Sequence, residues 1–480
     1  MPASFARLLS STFSSPHRWL VQAGVLLFVV LAFISTIDRV QAADGKASPA
    51  RPNIVLIMAD DFGYECVGAN GCTSYRTPHL DRLAKEGARF EHCYVQPLCT
   101  PTRVQLMTGQ YNVRNYVSFG KLDERQTTFG HLFRDAGYAT CIVGKWQLGQ
   151  SFDLPKHFGF DDYCLWQLTR RPGRYKNAGL EIDGKQLNYK NGEYGPDVVN
   201  DYALDFIKRS KDRPFLLYYP LMLTHDPYNA TPDSDDYATA PYEGQNDGKA
   251  GGGAGSKSGH FRDMVEYMDK LLGKLLAKLD SEGLRERTLV IFIGDNGTGK
   301  GTPTEFAGRT VVGGKGTPDE SGMRVPLIVG GPGVKPGTVC SDLVDSTDFL
   351  PTICAAAGIP LPTDTVIDGR SFLPQLGGEK GSPRDWIYCW YARNGGATAE
   401  AEFARGRTLK LYRDGRLFDV REGDFNRQPV DEKLLDAAGR AEIATLQAAL
   451  DRYRDARPAQ LGEKSGKGEK KAAAKAKKKA

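Results

Sequence analysis

Short apolar runs rich in β-branched and aromatic residues recur along the chain, with segments of helical periodicity between them. Asn53–Met58, Thr140–Val143, Phe215–Leu223 and Thr288–Ile293 show no polar alternation, which predicts strands covered on both faces. Thr77–Gly87 predicts a helix with Pro78 in its first turn and Gly87 as its stop, and Phe261–Leu279 carries apolar residues at helical spacing and ends before Gly283. Strands alternating with helices predict an α/β domain: a large, mainly parallel or mixed sheet sandwiched by helices. From about Gly378 the pattern shortens to Trp386–Ala392 and Thr408–Val420, with turn chemistry at Arg413–Gly415, which predicts a small C-terminal antiparallel sheet domain. Glu432–Tyr453 reads as a final helix. The expected division is 43–377 for the large domain, 378–457 for the small one and 458–480 for a tail.

Each central strand is succeeded by polar or ionisable residues: Asp60-Asp61, Lys145, His225-Asp226 and Asp295-Asn296. In open α/β sheets the ligand crevice lies beyond the carboxyl ends of the strands, so these groups are placed to converge.

Charge narrows the partners. The formal net charge is +5, but residues 464–480 alone hold eight Lys and one Glu, so the rest of the chain is slightly acidic. A basic stretch confined to a Lys/Ala/Gly tail reads as a solvated, disordered segment and gives no specific nucleic-acid partner. Ahead of the first strand, Arg7 and Arg18 precede an apolar run from Trp19 to Ile34 and the small-residue site Val40-Gln41-Ala42, the pattern of a cleaved secretory signal over residues 1–42. That run is shorter than the roughly 20 residues that span a bilayer, so no stable membrane span is expected and the mature chain is secreted or periplasmic. Nine cysteines in an exported chain leave one thiol with a separate fate, and Cys99 is the candidate; spacing does not fix pairings among the other eight, and no zinc-type cluster stands out. Lys249–Gly259, rich in Gly, Ser and Lys, reads as a mobile loop.

The candidate chemistry comes from the donor types. Asp60, Asp61, Asp295 and Asn296 offer only oxygen, the ligand set of a hard divalent cation: calcium outside a cell, magnesium as second choice. Cys99 precedes Thr100-Pro101-Thr102-Arg103, and a helix starting at Pro101 puts Cys99 before a positive helix end. Lys145, His225 and Lys315, the last in the loop Gly313-Gly314-Lys315-Gly316, add cations and an imidazole. A metal, ammonium groups and one imidazole suit an anionic tetrahedral ester, because the cations offset charge on the transferred oxygens while the imidazole protonates the departing alcohol. Charge alone does not separate sulfur from phosphorus.

The run Cys99-Thr100-Pro101-Thr102-Arg103, continued by Met107-Thr108-Gly109, resembles the signature of the sulfatase family, whose fold is that of alkaline phosphatase and whose cysteine is oxidised during export to formylglycine (3-oxoalanine). The resemblance extends through Arg51-Pro52-Asn53 to Asp61, Thr77–Phe90, Gly144–Gly149, Thr288–Gly297, Gly313–Pro326 and Asp368-Gly369. It implies a sulfuric ester hydrolase of arylsulfatase type acting on an aryl or, more readily, a carbohydrate sulfate. By the same resemblance, a formylglycine-generating enzyme matures the chain. Asp60, Asp61, Asp295, Asn296 and the modified Cys99 would ligate calcium. Arg103 and Lys145 would hold the formylglycine, and Lys145, His225 and Lys315 would contact the sulfate, with His225 as the acid. The implied mechanism hydrates the aldehyde to a geminal diol; one hydroxyl attacks sulfur and the alcohol leaves, then the second hydroxyl loses its proton, sulfate departs and the aldehyde returns.

Two positions depart from the family pattern. Gln147 stands in Gly144-Lys145-Trp146-Gln147-Leu148-Gly149 where the family has a histidine, and an amide takes no proton. Thr102 stands where Ser is commoner. His260 is the other histidine that could act as a base, although it reads first as an ordinary surface residue. Two other readings stay open: a phosphate or phosphonate monoester hydrolase on the same metal crevice, and a sulfated-glycan-binding protein without turnover.

Overall fold

Strand β1 (Asn53–Ala59) is buried at every position and lies between two parallel neighbours, β7 (Phe215–Pro220) and β8 (Thr288–Gly294). Its side chains divide with the period of two that a strand imposes. Ile54, Leu56 and Met58 enter the apolar layer shared with Phe349 and Ile353, while Val55, Ile57 and Ala59 enter the opposite layer with Leu80, Phe206 and Leu271. Both faces are covered, so the run has no polar alternation. Each fully buried Leu, Ile or Phe in these layers contributes about 1.5–3 kcal/mol relative to exposure.

The structure is a computed structural model that describes residues 51–240, 259–421 and 429–462. The expected signal 1–42, nearly all of the 249–259 loop and the Lys-rich segment after 462 lie outside the described residues. The remaining strands of the main sheet are β2 (Ala88–Tyr94), β3 (Ala139–Lys145), β4 (Asp162–Trp166), β5 (Gly179–Ile182), β6 (Lys185–Asn188), β11 (Arg324–Gly330) and β12 (Thr338–Asp345). They stand in the order β12-β2-β11-β8-β1-β7-β3-β4-β5-β6. The centre, β8 through β4, is parallel; β11 runs antiparallel to both β2 and β8, and β5 and β6 continue the far edge antiparallel. The sheet is therefore mixed with a parallel heart.

Helices α1 (Pro78–Glu86), α3 (Gly195–Arg209) and α4 (Phe261–Ser281) supply the layer on one face. On the other lie α2 (Cys99–Thr108) and α5 (Phe349–Ala357). A hairpin of β9 (Pro303–Phe306) and β10 (Arg309–Val312) precedes the loop that carries Lys315. The C-terminal sheet is antiparallel throughout, β13 (Ile387–Tyr391), β14 (Ala401–Arg405), β15 (Leu409–Tyr412) and β16 (Leu417–Asp419) in that order, packed under helix α6 (Ala437–Arg452).

Several expected boundaries move. The third strand stops at Pro220, which has no N–H to continue a ladder, and Leu221–Leu223 is buried loop. Thr408–Val420 is two strands joined at the expected turn, where Gly415 takes φ 88°. The last helix starts at Ala437, not at Glu432, because Asp436 accepts the Gly439 N–H at 2.8 Å and caps it there. After Pro458 the chain makes one further short helix, Ala459–Gly462. The setting apart of one cysteine by elimination is corrected: all nine are free thiols, and every one but the half-buried Cys340 is buried. Those within the strands serve as small apolar fillers, as Cys93 in β2 and Cys141 in β3 show. No described helix is long and apolar enough to cross a membrane.

Candidate active site

The carboxyl ends of β1, β3 and β8 open at one level, and the residues at and just beyond them meet in one buried cluster. Asp60 and Asp61 leave β1, Lys145 ends β3, and Asp295 and Asn296 leave β8; none of the five is more than 1 % exposed. Asp61 and Gln147, just past β1 and β3, hold φ of 61° and 55°, a left-handed backbone that non-glycine residues rarely adopt.

Cys99 is the first residue of α2, two positions earlier than Pro101, the helix start expected from sequence. It is buried, and the preceding Leu98 gives no side-chain cap. The helix end is therefore open toward the cluster. Arg103, one turn on, is fully buried and bridges two strand ends: Nη2 donates to Asp295 Oδ2 at 2.8 Å and Nη1 to the Lys145 carbonyl at 3.0 Å. Lys145 Nζ donates to both Asp60 oxygens at 2.8 and 2.9 Å, and Lys315 Nζ donates to Asp61 Oδ2 at 2.6 Å. The Cys99 thiol donates to Gln147 Oε1 at 2.8 Å. His225 Nε2 lies 3.8 Å from Asp61 Oδ2, while its Nδ1 faces the Asp226 carbonyl. A carbonyl only accepts, so Nδ1 carries the hydrogen, and a proton on Nε2 makes the ring cationic.

Burial sets the charges. It raises the Asp295 carboxyl, and repulsion from Asp60 adds to that, so its pKa stands at about 7. It acts upward on Asp60 too, but the cations Lys145, Arg103 and Lys315 together hold that carboxyl far below the usual carboxylate range. Burial brings His225 down to about 3, with Arg174 and Lys315 pushing the same way against Asp61 and Asp60. The Cys99 thiol is raised by burial, which Lys145 offsets only in part.

The donor set fits a hard divalent cation. Asp60, Cys99 and Asp295 each place one ligand atom within 4.8 Å of the other two, and so do Asp60, Asp61 and His225. Asn296 Nδ2 donates to Asp61 Oδ1 at 2.9 Å, while its Oδ1 is buried and accepts no hydrogen bond among the described residues. An unpartnered buried amide oxygen on a residue bonded to Asp61 suits an ion of the calcium or magnesium type.

Every site residue expected from sequence is in this cluster. Sequence reasoning missed Arg174, which is 1 % exposed, lies over the Trp166 ring at 4.1 Å and holds Nη1 3.8 Å from Asp60 Oδ2. It carries no sequence signal, since it lies well past the end of β4 at Trp166. His260 is engaged elsewhere, with Asp263 at 2.9 Å and Asp236 at 3.3 Å.

An open α/β sheet with carboxylates and cations gathered in a crevice at its strand ends is suited to an anionic ester, and comparison with known proteins specifies the class. The family model described as Sulfatase matches residues 52–359, and one described as N-sulphoglucosamine sulphohydrolase, C-terminal, matches residues 315–421. The N-acetylgalactosamine-6-sulfatase of Canis lupus familiaris is 34% identical over 370 residues, 69% of this chain and 67% of that protein. Arylsulfatase A of Homo sapiens is 33% identical over 390 residues, 72% of each chain. The crystal structure of Ps i-CgsB in complex with k-i-k-neocarrahexaose superposes with a TM-score of 0.71 at 26% identity, covering 87% of this chain and 96% of that one. The chain belongs to the sulfatase family, with its alkaline-phosphatase-like fold, and is a sulfuric ester hydrolase.

Proposed function

We propose that the protein hydrolyses sulfate monoesters of a carbohydrate, using residue 99 as formylglycine and a calcium ion bound by Asp60, Asp61, Asp295, Asn296 and residue 99, with magnesium as the second choice. The observation that carries this reading is the placement of Cys99 at the open end of α2, with its sulfur in ligand reach of both Asp60 and Asp295. As a plain thiol it is a poor nucleophile there, since burial keeps it protonated and its hydrogen is given to Gln147. The hydrated aldehyde supplies an attacking oxygen, and the ion supplies Lewis-acid charge that aligns the ester and offsets its developing negative charge.

The chain's own residues do the rest. Arg103 holds the residue-99 end of α2 against the β3 and β8 strand ends through the Lys145 carbonyl and Asp295, and the Lys145 ammonium ties the β3 end to the β1 end through Asp60. Three carboxylates face the cations Arg103, Lys145, Lys315 and Arg174, so a bound dication leaves the crevice net positive, which favours an anionic ester over a neutral one. Lys145 and Lys315 reach the sulfate oxygens. His225 is neutral in the free site; a sulfate held beside it restores its proton affinity, and Nε2 then delivers that proton to the leaving alcohol.

A carbohydrate substrate is favoured by the names of the relatives, an N-acetylgalactosamine-6-sulfatase among them, and by the neocarrahexaose in the matched crystal complex. A leader over 1–42, secretion or periplasmic export and maturation by a formylglycine-generating enzyme complete the proposal. Parallel turnover of nitrophenyl sulfate and nitrophenyl phosphate tests it: the sulfate is expected to be cleaved faster. Faster phosphate cleavage indicates a phosphate or phosphonate monoesterase. Binding of a sulfated polymer with no release of sulfate indicates a glycan-binding protein.

A further inference from the structure

The loop that carries Lys315 is tied down at both ends by different parts of the molecule. Toward the crevice, the Lys315 N–H donates to the Thr298 carbonyl at 3.1 Å and the Gly316 N–H to the Pro97 carbonyl at 2.9 Å, two residues before Cys99. At its far end the contacts come from the C-terminal sheet. Arg405 of β14 donates to Glu320 Oε1 through Nε at 3.0 Å, with Nη2 at 2.9 Å from the same oxygen, and lies over the Tyr94 ring at 4.2 Å. Tyr94 donates its hydroxyl to Glu320 Oε2 at 2.9 Å. Lys410 of β15 donates to the Pro318 carbonyl while its ammonium lies 4.2 Å from the centre of the Phe403 ring.

The same sheet packs beneath the segment leading into Cys99. Tyr94, Leu98 and Met323 share one apolar cluster with Ile387, Cys389, Tyr391, Phe403 and Tyr412. The charged contacts inside this otherwise apolar joint are the unusual part. The Arg405 and Glu320 side chains are only 4% and 7% exposed, and an ion pair so buried is a weak source of stability, because desolvation offsets its Coulomb attraction. A directional bond at that place has more value as a fixed register.

We infer that Arg405 and Lys410 are positioning residues for the hydrolytic site: they clamp Glu320 and Pro318 so that the loop presents the Lys315 ammonium to the bound sulfate. The small sheet is thereby part of the catalytic apparatus. The inference rests on the reading of Lys315 as a sulfate contact.

The test uses the full-length, calcium-loaded enzyme and its variants Arg405→Met, Arg405→Lys, Lys410→Met and Lys315→Ala. Inorganic sulfate binding by calorimetry and the separate kcat and KM for nitrophenyl sulfate are the readouts. Displacement of Lys315 by part of an ångström is expected to weaken sulfate binding and raise KM on the order of 10- to 100-fold in Arg405→Met and Lys410→Met. The change in kcat is expected to be smaller, and Arg405→Lys to recover part of the loss. Folded Arg405→Met and Lys410→Met proteins with unchanged sulfate affinity and KM overturn the clamp. If Lys315→Ala is also silent, the reading of Lys315 itself has failed; if Lys315→Ala weakens sulfate while the other two do not, only the clamp has failed. Should Arg405→Met not fold, Lys410→Met and Arg405→Lys decide the matter by the same readouts.

Discussion

The Cys99 sulfur donates its hydrogen to Gln147 Oε1 across 2.8 Å, so the side chain nearest the proposed nucleophile is an amide. An amide oxygen accepts a hydrogen bond and orients the group that donates it, but it does not take the proton away. Gln147 therefore positions residue 99 without serving as the base of the second half-reaction.

Replacing Gln147 with histidine is expected to raise turnover of nitrophenyl sulfate, by as much as about 100-fold if general-base catalysis is the missing contribution. The backbone raises no objection, because the φ of 55° at position 147 is one that histidine adopts more readily than most residues. Steady-state kinetics across pH provide the check, with an added acidic limb as the signature of the imidazole. Equal or lower kcat at every pH would mean that a base is already supplied by another group.

Arg103 and Asp295 are both fully buried and joined at 2.8 Å. Arg103→Met strands the Asp295 carboxylate without its partner, which is expected to cost about 3–5 kcal/mol of folding stability. Urea unfolding measures this directly. A loss under about 1 kcal/mol would show that the cluster is held together mainly by other contacts.

Much of this site is legible in the sequence, for a physical reason. β1, β3, β7 and β8 are buried on both faces, so their runs are continuously apolar and the first polar residue after each marks the crevice. The strands that flank them hide better. β2 mixes buried and half-buried positions, and β5 and the edge strand β6 are four residues long and pair antiparallel. Arg174 is invisible there because its place depends on where the chain turns after Trp166, which no local pattern states. The cysteine count misleads for the opposite reason: an odd number in an exported chain suggests disulfides with one thiol left over, whereas cysteines such as Cys93 and Cys141 are unpaired and fill strand positions as small apolar side chains.

Metal binding is expected to appear as stability. An ion that binds only the folded chain adds about 2.7 kcal/mol at one hundred times its Kd, so chelator-treated protein should gain Tm on addition of calcium and less on addition of magnesium. Asn296→Ala, which removes the orphaned buried oxygen, should shrink the gain. Identical Tm values with and without calcium would contradict the proposed ion site.

A second stability signal lies away from the site. Burial, with Arg324 and Arg405 adding to it, lowers His92 to about 4 from its ordinary 6.5. The unfolded chain then binds more protons than the folded chain between those values, so stability is retained above the upper one and is lost as pH falls through the window. His92→Phe is expected to flatten that part of the profile, as measured by urea unfolding at both ends of the window. An unchanged slope would show that His92 is free to protonate in the folded chain.

The chemistry proposed for residue 99 is open to inspection by mass spectrometry of the peptide that contains it, taken from protein exported by a host that has the maturation enzyme. The expected result is the mass loss that converts a thiol to an aldehyde, together with reaction of that peptide with a hydrazide probe. An unmodified Cys99 in all of the material, in protein that still cleaves sulfate esters, would contradict a formylglycine nucleophile.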